Sequence, residues 1–271
     1  MGQKSKSAFF FLLLTLISSG LFSQSGFPYT YKTGDYVLLP VGVGLSLYNL
    51  THNNPAKLLS DAEIQNLSAS SVNRFDRLAT TYWNPGADRF SDVLTLGFVS
   101  APALLLIPSV KNREYRQAAI LGLMYAEVVL LTYGLTEFTK NRDLRIRPYM
   151  YNSGLSLNEK QDLAATGDAR RSFYSLHAAL VFGTAVFASK TVIDWYGWNS
   201  RTRWVVAGTG CVALSVSALR FYSGQHFPTD IVTGALVGGL IGYVVPLMHK
   251  KEGTKVSFNF LGNSFRLAYR L

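Results

Sequence analysis

Five long apolar runs constrain this chain more than any other feature: about Asp92 to Val110, Gln117 to Phe138, Ser175 to Ile193, Trp204 to Tyr222 and Ile231 to Met248. Each approaches the ~20 residues that an α-helix needs to cross the ~30 Å apolar core of a bilayer. A backbone with no water around it must satisfy its own hydrogen bonds, so the runs predict an all-α, multi-pass transmembrane bundle. A sixth run, Tyr36 to Leu50, is short and contains Pro40, Gly42 and Gly44, which gives five to six spans and marks this run as re-entrant or interfacial. Mean hydropathy is only +0.16 because polar connections, chiefly residues 52–90 and 149–174, dilute the apolar segments.

The net charge is +10, from 26 Lys+Arg against 16 Asp+Glu. The basic residues sit at the ends of apolar runs and form no stripe interleaved with aromatics, which argues against a nucleic-acid partner and for a membrane one. Lys111, Arg113 and Arg116, then Lys190, Arg201 and Arg203, then Lys250, Lys251 and Lys255 mark three cytoplasmic ends by the positive-inside rule. Alternation places Lys140, His177 and Arg220 to Asp230 together on the extracytoplasmic face. The expected localisation is the cell membrane, a bacterial inner membrane, with the polar site facing the periplasm or outside.

Four regions follow. Residues 1–23 read as a signal peptide or signal anchor, with Lys4 and Lys6 ahead of the apolar run Ala8 to Ile17. Residues 24–90 read as an extracytoplasmic or interfacial segment, in which Ser60 and Glu63 form a capping box opening an amphipathic helix through Ile64, Leu67 and Phe75. Residues 91–249 are the helical membrane domain. Residues 250–271 are a basic tail whose alternation of Val256, Phe258 and Phe260, then Phe265, Leu267 and Tyr269, about Gly262-Asn263 predicts a short C-terminal β-hairpin. The single cysteine, Cys211, reads as a buried packing residue, and His52 and His249 as surface positions.

Three stretches carry chemistry: Lys140 with Arg147-Pro148 seven residues on, Ser175-Leu176-His177, and Arg220 with His226 and Asp230 downstream. Together they hold three cations for an oxyanion, a hydroxyl and two histidines, an inventory suited to phosphoryl transfer through a histidine nucleophile. Pro228 suits the first turn of a helix, so His226 precedes that helix and Asp230 lies in its first turn. The carboxylate can then fix the imidazole tautomer and leave the other nitrogen its lone pair. Arg170 and Arg171, beside the second stretch, bind a headgroup or are solvated.

The three stretches resemble the signature of the type 2 phosphatidic acid phosphatase and vanadium haloperoxidase superfamily, Lys-x6-Arg-Pro, Pro-Ser-Gly-His and Ser-Arg-x5-His-x3-Asp, over about residues 90–248. The resemblance implies a lipid phosphate phosphatase of its membrane branch. His226 would attack phosphorus, Asp230 would orient it, and His177 would protonate the leaving alkoxide and then activate water. Lys140, Arg147, Ser175 and Arg220 would bind the phosphoryl oxygens, with no metal or cofactor. Tyr174, Leu176 and Leu219 replace the family's proline, glycine and serine, which predicts an altered but working site. The substrate would be a lipid phosphate such as phosphatidate, phosphatidylglycerol phosphate, an isoprenyl pyrophosphate or a phosphorylated lipid A. A broad acid phosphatase, a vanadate-dependent haloperoxidase and a non-catalytic phospholipid-binding protein are the alternatives.

Overall fold

The computed structural model describes residues 26–31, 37–52, 58–142, 145–251, 256–261 and 264–269. The signal segment, residues 1–23, lies outside them. Helix α1 is Leu38–Thr51 and α2 Asp61–Gln65; α3, Pro85–Ser100, continues through a 3-10 turn into α4, Ile107–Lys111. Then follow α5 (Tyr115–Lys140), α6 (Leu157–Ala165), α7 (Leu176–Tyr196), α8 (Ser200–Tyr222) and α9 (Pro228–Met248). Among the described residues, five segments are long and apolar enough to cross a membrane: Pro85–Lys111, α5, α7, α8 and α9.

The first span starts earlier than the apolar run suggests. Asn84 caps α3 by accepting a hydrogen bond from the Ala87 amide at 2.9 Å, and Pro85 occupies the first turn, where no amide proton is needed. Asp92 therefore lies two turns inside the helix, and the expected boundary at residue 90 falls within α3. The Ser60–Glu63 capping box is present, but its helix stops at Gln65 and does not reach Phe75.

α7 and α9 run parallel in backbone-to-backbone contact. Gly234, Gly238 and Gly242 recur every fourth residue and line one face of α9. A Cβ on them would lie 2.5 Å from the Ser175 carbonyl oxygen, 1.9 Å from that of Ala179 and 2.3 Å from that of Gly183. Any side chain on this stripe would force the helices apart. Close approach of small-residue faces is a principal source of helix association where the surroundings are apolar. It also sets the register of the two helices: one turn above Gly234, the Asp230 carbonyl accepts the Ser175 amide at 3.1 Å.

The described parts of the N-terminal segment pack on the bundle. Residues 28–30 pair with the exit of α9, Thr30 N donating to His249 O at 2.8 Å and Lys251 N to Pro28 O at 2.9 Å, and the Tyr29 hydroxyl donates to Asp194 near the end of α7. α1 then packs along α5. Gly42 lies against Leu130, and Asn49 Nδ2 donates to the Gly134 carbonyl at 2.8 Å and faces Asn141, beside Lys140. Residues 28–30 thus lie at the end of the bundle remote from Lys140, and α1 ends beside Lys140.

Two single-residue expectations are also corrected. Cys211 is exposed on α8, since an apolar neighbourhood in a membrane helix can be lipid and need not be protein. His249 is fully buried: the N-terminal segment covers it, with the Tyr31 ring 4.4 Å away and Glu127 Oε2 3.5 Å from Nε2. His52 is exposed, as expected.

Candidate active site

Helix polarity gathers the chemistry at one end of the bundle. Lys140 closes α5, Ser175 caps α7 with His177 in its first turn, Arg220 closes α8, and the loop bearing His226 leads into α9 with Asp230 in its first turn. Arg147 comes from the connection between α5 and α7. All seven residues are drawn together, and all but His177 are buried, at 6 % exposure or less.

The loop before α9 turns at Gly224, where φ is +74° and a Cβ would lie 2.2 Å from the Tyr82 carbonyl oxygen, so only glycine fits. The Gly224 carbonyl accepts the Tyr149 amide at 3.0 Å, which ties the Arg147-Pro148 connection to this loop. The next residue, Gln225, offers its side-chain oxygen to Arg147, and His226 follows.

His226 Nδ1 lies 2.8 Å from the backbone carbonyl of Ser172. A carbonyl only accepts, so Nδ1 carries the proton, and in the neutral ring Nε2 carries the lone pair. Burial holds this imidazole well below its ordinary range, and the nearby charges of Arg147, Arg220 and Lys140 push the same way, with His177 adding to them. His226 is therefore neutral at neutral pH.

Asp230 does not orient His226 by direct contact as the sequence suggests: Oδ2 is 3.8 Å from Nδ1, beyond hydrogen-bond reach. Oδ2 instead accepts from Ser172 Oγ at 2.6 Å and from the Phe227 amide at 2.9 Å, while Oδ1 accepts from Arg145. Ser172 bridges the two, its hydroxyl on Asp230 and its carbonyl on His226. Spacing alone could not show this, because Ser172 lies 54 positions before His226.

Each cation has an acidic neighbour. Lys140 Nζ lies 3.7 Å from Glu137, Arg147 pairs with Asp168 at 2.6 Å, and Arg145 with Asp76 at 2.7 Å as well as with Asp230. Arg220 donates to Asp88, to Ser91 Oγ at 3.0 Å and to Asp92 at 3.2 Å, all on α3. Burial pushes the Asp168 carboxyl up, but Arg147, Lys140 and Arg171 outweigh this and hold it below the usual carboxylate range. Arg170 pairs with Glu63 and Arg171 with Glu137, so both are structural links at the rim of the site.

Two of the three departures from the family pattern, Leu176 and Leu219, are locally accommodated. Leu176 is the first residue of α7 and adopts helical backbone, so no glycine conformation is required there. The Ser175 hydroxyl oxygen accepts the Ala178 amide at 3.3 Å, and the amides of Leu176 and His177 open the helix, where the first turn has no intrahelical acceptors. Leu219 lacks a hydroxyl, and Ser91 supplies one to Arg220 from α3. Tyr174 is buried directly before the cap. Among the described residues, no group of three or more His, Cys, Asp or Glu side chains could hold a metal ion.

A cluster of cations and two histidines at the shared end of membrane-length helices defines a class of membrane phosphatase, and comparison with known proteins agrees. Residues 121–254, just under half of the chain, match the PAP2 superfamily, and this match together with the relative that follows supports a phosphatase. It is similar to a lipid A 4'-phosphatase of Bacteroides thetaiotaomicron, with 28 % identity over 176 residues that cover 63 % of this chain and 71 % of that protein. No solved structure matches it.

Proposed function

We propose that this protein removes a phosphate from a membrane lipid through a phosphohistidine intermediate. The observation that carries the reading is the neutral, tautomer-fixed His226 facing Lys140, Arg147 and Arg220 at the end of the spans. In the first step a bond forms between His226 Nε2 and phosphorus as the bond to the lipid oxygen breaks, and a proton passes from His177 to that oxygen. In the second step a water oxygen bonds phosphorus, the P–N bond breaks, and one water proton returns to His177. The three cations, the Ser175 hydroxyl and the first amides of α7 stabilise the charge on the phosphoryl oxygens.

Within lipid phosphates, the named relative favours a phosphorylated lipid A over phosphatidate, phosphatidylglycerol phosphate or an isoprenyl pyrophosphate. The proposed setting is the inner membrane with the site on its extracytoplasmic side, which the basic ends at Lys111 to Arg116, Lys190 to Arg203 and Lys250-Lys251 support. The alternation of Val256, Phe258 and Phe260, then Phe265, Leu267 and Tyr269, is the ground on which a hairpin in the basic tail is proposed. The test is phosphate release by detergent-solubilised protein from these four lipids, wild type against His226→Ala. Release lost in the variant, with a ³²P-labelled acid-labile, base-stable adduct trapped on wild type alone, supports the reading. Equal release from both proteins, or no release from any lipid, overturns it.

A further inference from the structure

The family signature contains no residue that governs His177, yet the structure supplies one. Asp92, two turns into α3, places Oδ1 2.8 Å from His177 Nε2, and the same oxygen lies 3.2 Å from Arg220 Nη1. A carboxylate oxygen accepts and an imidazole nitrogen at this distance must donate, so Nε2 carries a proton in either charge state of the ring. We propose that Asp92 is the positioning residue for His177. It fixes the tautomer, balances the charge of the imidazolium and leaves Nδ1 as the nitrogen that exchanges a proton with the leaving group and then with water. The inference rests on the phosphatase reading of the site.

Charge arrangement gives the reason such a residue is needed. The groups facing His177 from the packed elements are Arg220 on α8, Lys140 on α5 and His226 on the loop before α9, and both cations oppose a further positive charge. A proton donor among them needs a carboxylate to keep its proton, and Asp92 is the acid in contact with it. Asp88, one turn earlier, donates its charge to Arg220 instead, where its Oδ1 accepts from Nη1, and its Oδ2 takes the Gln225 side-chain amide at 3.0 Å. The two acids on one face of α3 thus have separate tasks. Asp92 can yield its longer contact with Arg220 to a phosphoryl oxygen and keep the shorter one with His177.

The experiment separates proton donation from structure by changing the leaving group. An alkyl phosphate, as in a lipid, leaves as an alkoxide that must be protonated, whereas a nitrophenolate leaves without a proton. Asp92→Asn is expected to lower kcat on the lipid phosphate about tenfold to a hundredfold. It should lower kcat on nitrophenyl phosphate less than about threefold, and move the alkaline limb of the lipid kcat profile to lower pH. Asp92→Glu should restore part of the lipid rate. The Asp92 side chain is 55 % exposed, so neither variant disturbs the core. Equal losses on both esters with an unmoved alkaline limb would overturn the proposal. So would an unchanged kcat with tighter inhibition by inorganic phosphate, which would mean that Asp92 only occupies a phosphate oxygen's place. A wild type inert toward both esters would overturn the phosphatase reading and this inference with it.

Discussion

Gly238→Ala tests whether the site depends on the contact between α7 and α9. The added Cβ would lie 1.9 Å from the Ala179 carbonyl oxygen and 2.6 Å from its carbonyl carbon, against the 3.0 Å or more that real Cβ contacts keep. The helices must separate by about 1 Å to admit it. Overpacking of this kind costs about 1–3 kcal/mol. The effect on catalysis is larger, because α7 carries Ser175 and His177 and α9 carries Asp230, and a misplacement of about 1 Å costs on the order of a hundredfold in rate. Gly239→Ala is the control: its Cβ meets only Val186 Cγ2 at 3.7 Å, an ordinary contact. Thermal unfolding in detergent and kcat on a lipid phosphate should show Gly238→Ala destabilised and about a hundredfold slower, with Gly239→Ala close to wild type. A Gly238→Ala protein as fast as the control would refute the claim that this stripe sets the geometry of the site.

Four further outcomes are expected. Because the folded pKa of His226 is depressed below its ordinary 6.5, its neutral nucleophilic form persists as pH falls through that value; the acid limb of kcat/KM should lie below 6.5, and a limb at or above it contradicts the assignment. The same shift makes the unfolded chain the stronger proton binder below about pH 6.5, so acid should also lower the stability of the protein. Arg145→Ala strands the Asp76 and Asp230 carboxylates, both fully buried, and should cost about 3–5 kcal/mol, read as a fall in unfolding temperature that Arg145→Lys partly recovers. In a Cys211→Ser background, Gly26→Cys, beside the exit of α9, and Gly154→Cys, at the site end, should react with an impermeant maleimide from opposite sides of the membrane; labelling of both from one side would contradict the placement of residues 28–30 at the end remote from the site.

The helices and the motif residues were legible because their signals are local. A run of about 20 apolar residues needs no partner to be recognised, and Arg220, His226 and Asp230 fall within one turn-and-helix unit. The counterions were not legible. Asp88 lies 132 positions before Arg220 and Asp76 lies 69 before Arg145, so only the assembled bundle shows the pairs. A signal for α3 was present in Asn84-Pro85, an N-cap followed by a first-turn proline, with Asp88, Ser91 and Asp92 then on one face. The docking of residues 28–30 on the exit of α9 was hidden for the same reason, because Thr30 pairs with His249 and Pro28 with Lys251 from the far end of the sequence.

The acidic neighbours of the site cations also bear on stability. Buried Lys140, Arg147 and Arg220 together would be costly if unpaired, and the carboxylates beside them offset that cost. On the proposed function a phosphoryl group would replace some of these acids, and exposure indicates which. Asp168 is 48 % exposed on its side chain and can swing away from Arg147, whereas Asp76 and Asp230 are fully buried and hold Arg145 in place. On the proposed mechanism Arg147 is then the cation that a phosphoryl group would take up, while Arg145 stays paired with Asp230, whose carboxylate holds Ser172 against the imidazole of His226.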